Sequence, residues 1–272
     1  NTILKFVGMI AVPAMSADIM LKINFTKIDL SLYLFYFSSE ILVYLIGFVI
    51  AKLLFRVTLK EAILIGAASA FANHVLYVYP IALLEFSFEK INPLVTIMAM
   101  DVVLLSITIF LLDLVSTKDI SVVQLLKKQA FNPPLIGLLI GLTIIIFPFD
   151  FPKGIYRTFE FISTAAAPCA LFALGILLTT KIGGSHLKLA FIISFLRLII
   201  HPIIALIFII SFGGYEVEVA RTTLMVAAAP VGLMALTFAP KYKVKTGAIA
   251  TSILWTLIGS LILLPLVGII HI

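Results

Sequence analysis

Apolar residues in this chain gather in long runs, without the alternation of a half-buried strand or the single stripe of a surface helix. Nine runs reach membrane-spanning length, at about 2–21, 30–55, 62–86, 93–115, 132–148, 159–180, 187–212, 219–238 and 246–270. About 20 apolar residues carry a helix across the hydrocarbon layer. Backbone polar groups find no water there, so each run predicts a helix. The longest connection, 116–131, is polar and basic, with Lys118, Lys127 and Lys128. It divides the chain into 1–115 and 132–272.

Composition makes the bilayer the solvent. Of 272 residues 62% are hydrophobic and 12% charged, and mean hydropathy is +1.24. A water-soluble globule is about half apolar and about a quarter charged. The net charge of +6 therefore does not point to nucleic acid, because the basic residues sit in short loops between runs. Of the Lys and Arg residues outside the runs or at their ends, 12 fall on one side and 6 on the other, with Arg197 set aside inside the seventh run. The richer side is expected to be cytoplasmic. The 116–131 linker then lies in the cytoplasm and the C-terminus outside, in a bacterial inner (plasma) membrane. Cys169 is the lone cysteine and excludes an intrachain disulfide.

The runs also repeat. Pro13 and Pro168 interrupt the first and sixth, and Pro80 and Pro230 the third and eighth, 155 and 150 positions apart. The first four runs thereby pair with the last four, and the fifth has no partner. If each unit has five spans, the missing partner precedes Asn1, leaving nine spans of an expected ten. An odd number of spans per unit inverts the second copy, as in many carriers. Domain organisation follows: 1–115 as a first inverted repeat lacking its first span, 116–131 as the linker, 132–272 as the second repeat.

Proline removes a backbone donor and crowds the preceding turn. The third and eighth runs surround theirs with small or polar residues, Ser69, Asn73 and His74 in one and Ala227, Ala228, Ala229 and Gly232 in the other. Matching interruptions in two inverted copies point to a mid-membrane site, with half-helix N–H groups near Pro80 and Pro230 free to meet an anion. The alternative is a kink used only for packing.

The order of short motifs resembles the auxin efflux carrier family, which includes the plant PIN proteins and bacterial malonate-type organic acid carriers. Asn132-Pro133 opens the fifth run and is followed by Gly141, Ala167-Pro168 and Leu171-Phe172-Ala173-Leu174-Gly175. Asn73 precedes Pro80 by seven residues, and Ala229-Pro230 is followed by Ala239 and Tyr242. The resemblance implies an all-α polytopic membrane protein of inverted five-helix repeats with crossed broken helices, the plan of the antiporter NhaA and of bile-acid symporters. It places the substrate where the third and eighth runs cross. Asn73, His74, Tyr77, Pro80, Ala229, Pro230 and Met234 become the candidate substrate-binding residues. His74, Val78 and Met234 stand where the family commonly has small residues or an amide, so the pocket is more aromatic and apolar, with Tyr77 and Tyr79.

Ionisable side chains at membrane depth are costly and usually face a cavity or a partner. Asp101 and Glu40 lie well inside the fourth and second runs and are candidates for carrying a proton or coupling ion. Arg197 and His201 are one turn apart and share a helix face; a structural ion pair with Arg197 is the alternative for either acid. His74 could hold a carboxylate, titrate, or bond a carbonyl freed by Pro80.

No catalytic, nucleotide or metal-ligand signature is present, so neither an enzyme nor a cofactor is expected. The expected function is a secondary active permease of a small organic anion, such as a carboxylate, by alternating access. The expected partners are that solute, H⁺ or Na⁺ and the lipid bilayer, with a homodimer left open and no nucleic acid. A sodium-coupled bile-acid-type symporter and a receptor without flux are the alternatives.

Overall fold

The structure is a computed structural model that describes residues 2–78, 81–82, 86, 88–116, 131, 133–147, 151–178 and 185–269. Among them every element is helical, and extended pairing is confined to one isolated bridge. Helix α1 runs without a break through Thr2–Phe6, Val7–Ala11 and Val12–Lys22. Next come α2 (Leu30–Leu53), α3 (Leu59–Ala70), α4 (Phe88–Ser116), α5 (Pro133–Ile146) and α6 (Lys153–Leu178). Helix α7 continues through Ser185–Phe195, Leu196–Ile200, His201–Leu206 and Ile207–Phe212, followed by α8 (Val217–Ala227), α9 (Met234–Phe238) and α10 (Gly247–Ile269). Among the described residues four stretches are long and apolar enough to cross a membrane: Leu30–Leu53, Asn92–Ser116, Leu187–Phe212 and Gly247–Val267. Phe161, Phe191 and Ile262 are among the large apolar side chains on the outer surface, where lipid replaces water as their solvent.

Local chemistry sets the helix starts. The Asp29 carboxylate caps α2 by accepting from the amides of Ser31 and Leu32. Thr58 caps α3 by accepting from the Glu61 amide, with Glu61 in the first turn, the side-chain pattern of a capping box.

Proline accompanies three of the four described π-helical stretches; Ile207–Phe212, ahead of Gly213-Gly214, is the exception. The π-helical turns Val7–Ala11 and Leu196–Ile200 each end two residues before a proline, Pro13 and Pro202. A proline has no N–H to give and its ring pushes away the carbonyl one turn back, so the ladder widens by one residue and the helix carries on. The π-turn His74–Val78 stands in the same relation to Pro80, which with Tyr79 lies outside the described residues.

Helix α1 packs against α5 and α6; α2 packs on α3; the first part of α7 packs on α10; and α4 touches α1, α3 and α8. Close approach depends on small residues. A Cβ on Gly137 would stand 2.0 Å from the Pro13 carbonyl oxygen, and one on Gly141 2.7 Å from that of Ala17. Gly47 and Gly66 do the same for α2 and α3, against Ser69 and Tyr44.

Two helices stop short. Helix α3 ends at Ala70 and passes into extended chain at Phe71, and α8 ends at Ala227 and passes through a turn at Ala228. There the two segments bond to each other: Ala72 and Val231 form the antiparallel bridge, the Asn73 amide donates to the Pro230 carbonyl at 2.8 Å, and the Gly232 amide donates to the Phe71 carbonyl at 2.8 Å. The Val231 amide donates to Thr256 Oγ1 of α10 at 3.0 Å. The break in the third run thus falls at 71–73, ahead of Pro80. Nothing in Phe71-Ala72-Asn73 alone disrupts a helix; partner pairing compensates for the lost ladder. The two buried apolar clusters meet here, with Phe71 and Val231 in one and Ala72 and Ala229 in the other.

Past α9, a 3₁₀ turn over Ala239–Tyr242 is fastened to α4 by Tyr242, whose hydroxyl donates to Asp113 Oδ1 at 3.1 Å. Burial, and then the Asp113 charge, push this phenol well above its usual range, so it remains a donor. Tyr242→Phe is expected to cost about 1–2 kcal/mol, read as a melting temperature in detergent lower by roughly 2–8 °C; an unchanged value would mean the fastening is idle.

Candidate functional site

A cavity of about 70 Å³ opens beside the crossing. On a measure in which one water needs about 10–15 Å³, it suits a small solute. From α1 and α6 it receives only apolar groups, Val12, Met15, Ile19 and Ala166. Its polar groups are Asn73, His74 and Asp101, set among the apolar Phe71, Met98, Leu105 and Met234. Asn73 is buried, and its Nδ2 has no hydrogen-bond acceptor among the described residues.

Behind the polar groups lies a buried charged cluster. His74 Nε2 is 3.2 Å from Asp101 Oδ2. Asp101 on α4 faces Glu40 on α2, carboxyl to carboxyl, with Arg197 in electrostatic reach of both. Apart from that mutual contact and the His74 pair, the oxygens of both acids lack hydrogen-bond partners among the described residues. A carboxyl-to-carboxyl contact needs a proton between the two acids; with both ionised against one permanent cation, one negative charge would be left unbalanced, and an unbalanced buried charge is expensive.

Arg197 directs three of its donors to backbone carbonyls and one to a side chain. Nε donates to the Ala229 carbonyl at 2.8 Å and one terminal nitrogen to that of Val226 at 2.6 Å. The other reaches the Ala70 carbonyl and His201 Nδ1. Arginine only donates, so His201 Nδ1 accepts and its proton sits on Nε2, 3.5 Å from Ser39 Oγ. The Ser39 hydroxyl donates to the Tyr36 carbonyl at 2.6 Å, and the rings of Tyr36 and His201 lie 5.7 Å apart.

Of the residues singled out in the sequence, Asn73, His74, Met234 and Asp101 come together on the cavity, and Glu40 stands behind Asp101. Tyr77 is partly buried and is not on the cavity wall. Ala229 and Pro230 are also off the wall, their carbonyls taken by Arg197 and the Asn73 amide. Pro80 lies outside the described residues. The expectation that the breaks present unused amides needs correcting at three of them. The amides of Asn73, Val231 and Gly232 are all spent on holding the crossing together, as backbone in lipid requires. Sequence reasoning missed Ser39, Thr256 and the apolar wall from α1.

Comparison with known proteins follows the same direction. A family model described as membrane transport protein matches residues 116–267, more than half of the chain. A protein provisionally named a malonate transporter in Rhizobium meliloti (strain 1021) is 25% identical over 135 residues, 49% of this chain and 42% of that protein. An uncharacterized transporter of Methanothermobacter thermautotrophicus is 29% identical over 146 residues, 53% of this chain and 47% of its own length. Another, of Methanocaldococcus jannaschii, is 28% identical over 150 residues, 53% and 48% respectively. The chain spans about half the length of the curated relatives it matches.

Proposed function

The chain belongs to the membrane transport protein family, and from that premise we propose that it is a secondary carrier of a small organic anion, a carboxylate, bound in the cavity beside the crossing. The observation that carries this reading is Asn73 Nδ2, a buried donor on the wall of a small cavity with no acceptor among the described residues. A buried donor in that state is costly, and a carboxylate oxygen relieves it. The name of the Rhizobium relative makes malonate the first solute to try.

An anion cannot settle next to Asp101 while the cluster behind it carries excess negative charge. Loading a proton onto the Asp101–Glu40 pair removes that excess, so solute and proton travel together. His74, between Asn73 and Asp101, links the two sites. The nine spans, two inverted repeats (1–115 and 132–272), cytoplasmic 116–131 linker and external C-terminus belong to this proposal, in the cell's plasma membrane. Alternating access comes from displacement of α1 and α6 against the elements that carry Asn73, His74 and Asp101.

Uptake of labelled malonate, succinate and lactate into proteoliposomes tests the assignment. Asn73→Ala removes a hydrogen bond to a charged group, worth about 1.5–3 kcal/mol, so apparent affinity is expected to fall about tenfold or more. Pro230→Ala is expected to impair transport by disturbing the crossing. If both variants transport like the parent, the site lies elsewhere.

A further inference from the structure

We infer that Arg197 is a built-in cation that fills a cage of helix-end carbonyls of the kind in which carriers hold a small cation, and that transport by this protein is therefore independent of sodium. Sodium-independence rests on the carrier reading above; the arginine's occupancy of the cage does not.

Helices α3 and α8 both terminate at the crossing, at Ala70 and Ala227. A helix C-terminus leaves carbonyls without intrahelical partners and carries about half a negative charge. Two such ends meeting in mid-membrane form a cage of oxygens. Unwound carbonyls and half-helix C-termini are what carriers use to hold a small cation. Here the Ala70, Val226 and Ala229 carbonyls all receive hydrogen bonds from one guanidinium, with Glu40 and Asp101 nearby. Arg197 is fully buried and tethered to α7, so a free ion would have to displace a covalently held one.

Two features support placement by design of the local backbone. Arg197 lies within the widened turn Leu196–Ile200 ahead of Pro202, which changes the direction its side chain leaves the helix. His201, one turn on, accepts from the same guanidinium and so holds the fork in register with the carbonyls.

The test is thermal unfolding of the purified full chain in detergent, with NaCl exchanged for KCl or choline chloride at constant ionic strength. The parent's melting temperature is expected to move by less than about 1 °C, because no ion binds the folded state selectively. Arg197→Ala is expected to melt lower and to regain about 3 °C or more with millimolar guanidinium or with sodium, which enter the emptied cage. Arg197→Lys keeps the charge and is expected to stay insensitive to sodium, and it serves if Arg197→Ala does not fold. Sodium stabilisation of the parent or of Arg197→Lys by about 3 °C or more overturns the inference, as does a folded Arg197→Ala that no cation stabilises. These readouts need no flux. If no organic acid is transported yet the melting pattern holds, the carrier reading fails and the fixed cation stands.

Discussion

Asp101→Asn is expected to abolish concentrative uptake of the organic acid under an inward proton gradient while leaving the protein folded and able to exchange solute across the membrane. Asparagine keeps the shape of the side chain and removes its capacity to gain and lose a proton. Asp101 lies 3.2 Å from His74, faces Glu40 and lines the cavity, so it touches both the proposed proton and the proposed solute. The loss of gradient-driven accumulation should exceed about tenfold, the effect of some 1.4 kcal/mol of lost coupling. Glu40→Gln is expected to behave alike, being the other half of the acid pair, although it is off the cavity wall. Counterflow at equal pH on the two sides separates a coupling defect from a dead protein. If both variants still concentrate solute, neither acid carries the proton and the pair is structural.

The second large effect concerns stability. Gly137→Ala places a methyl group 2.0 Å from the Pro13 carbonyl oxygen, a backbone atom with no rotamer to escape into. Helices α1 and α5 must separate, at a cost of roughly 3 kcal/mol or more, and packing between membrane helices is what holds them together. Gly141→Ala meets Ala17 and Met20 at 2.7 Å and is expected to cost less. Gly154→Ala is the control, since a methyl there meets nothing within 4 Å. Melting temperature and detergent-extracted yield report the order Gly137, Gly141, Gly154. A Gly137→Ala protein that melts with the parent would rule out this contact between α1 and α5.

What was legible in the sequence is the chemistry that lipid penalises. Asp101, Glu40, His74, Arg197 and His201 stand out because charge and polarity inside an apolar run need a reason. That they converge was not legible, since the bond from Arg197 to the Ala70 carbonyl spans 127 positions and has no local pattern. Proline is the visible breaker, so the sequence points to Pro80 for the break in the third run. It falls at Phe71–Asn73, three residues with no such signal, because the extended conformation there is selected by hydrogen bonds to Pro230 and Gly232. Gly137 and Gly141, four apart and therefore on one helix face, carry a packing signal in the sequence itself, since small residues allow membrane helices to approach closely.

The mutual bonding of the two breaks has a mechanical result. Stitched to each other through Asn73, Pro230, Phe71 and Gly232 and tied to α10 through Thr256, the severed helices cannot slide apart without stranding peptide groups in oil. Under the proposed carrier reading, whatever they grip rides with both of them as one piece of freight, and the surface expected to yield is the smooth, greasy flank of α1, which has no polar bond to the crossing among the described contacts to surrender.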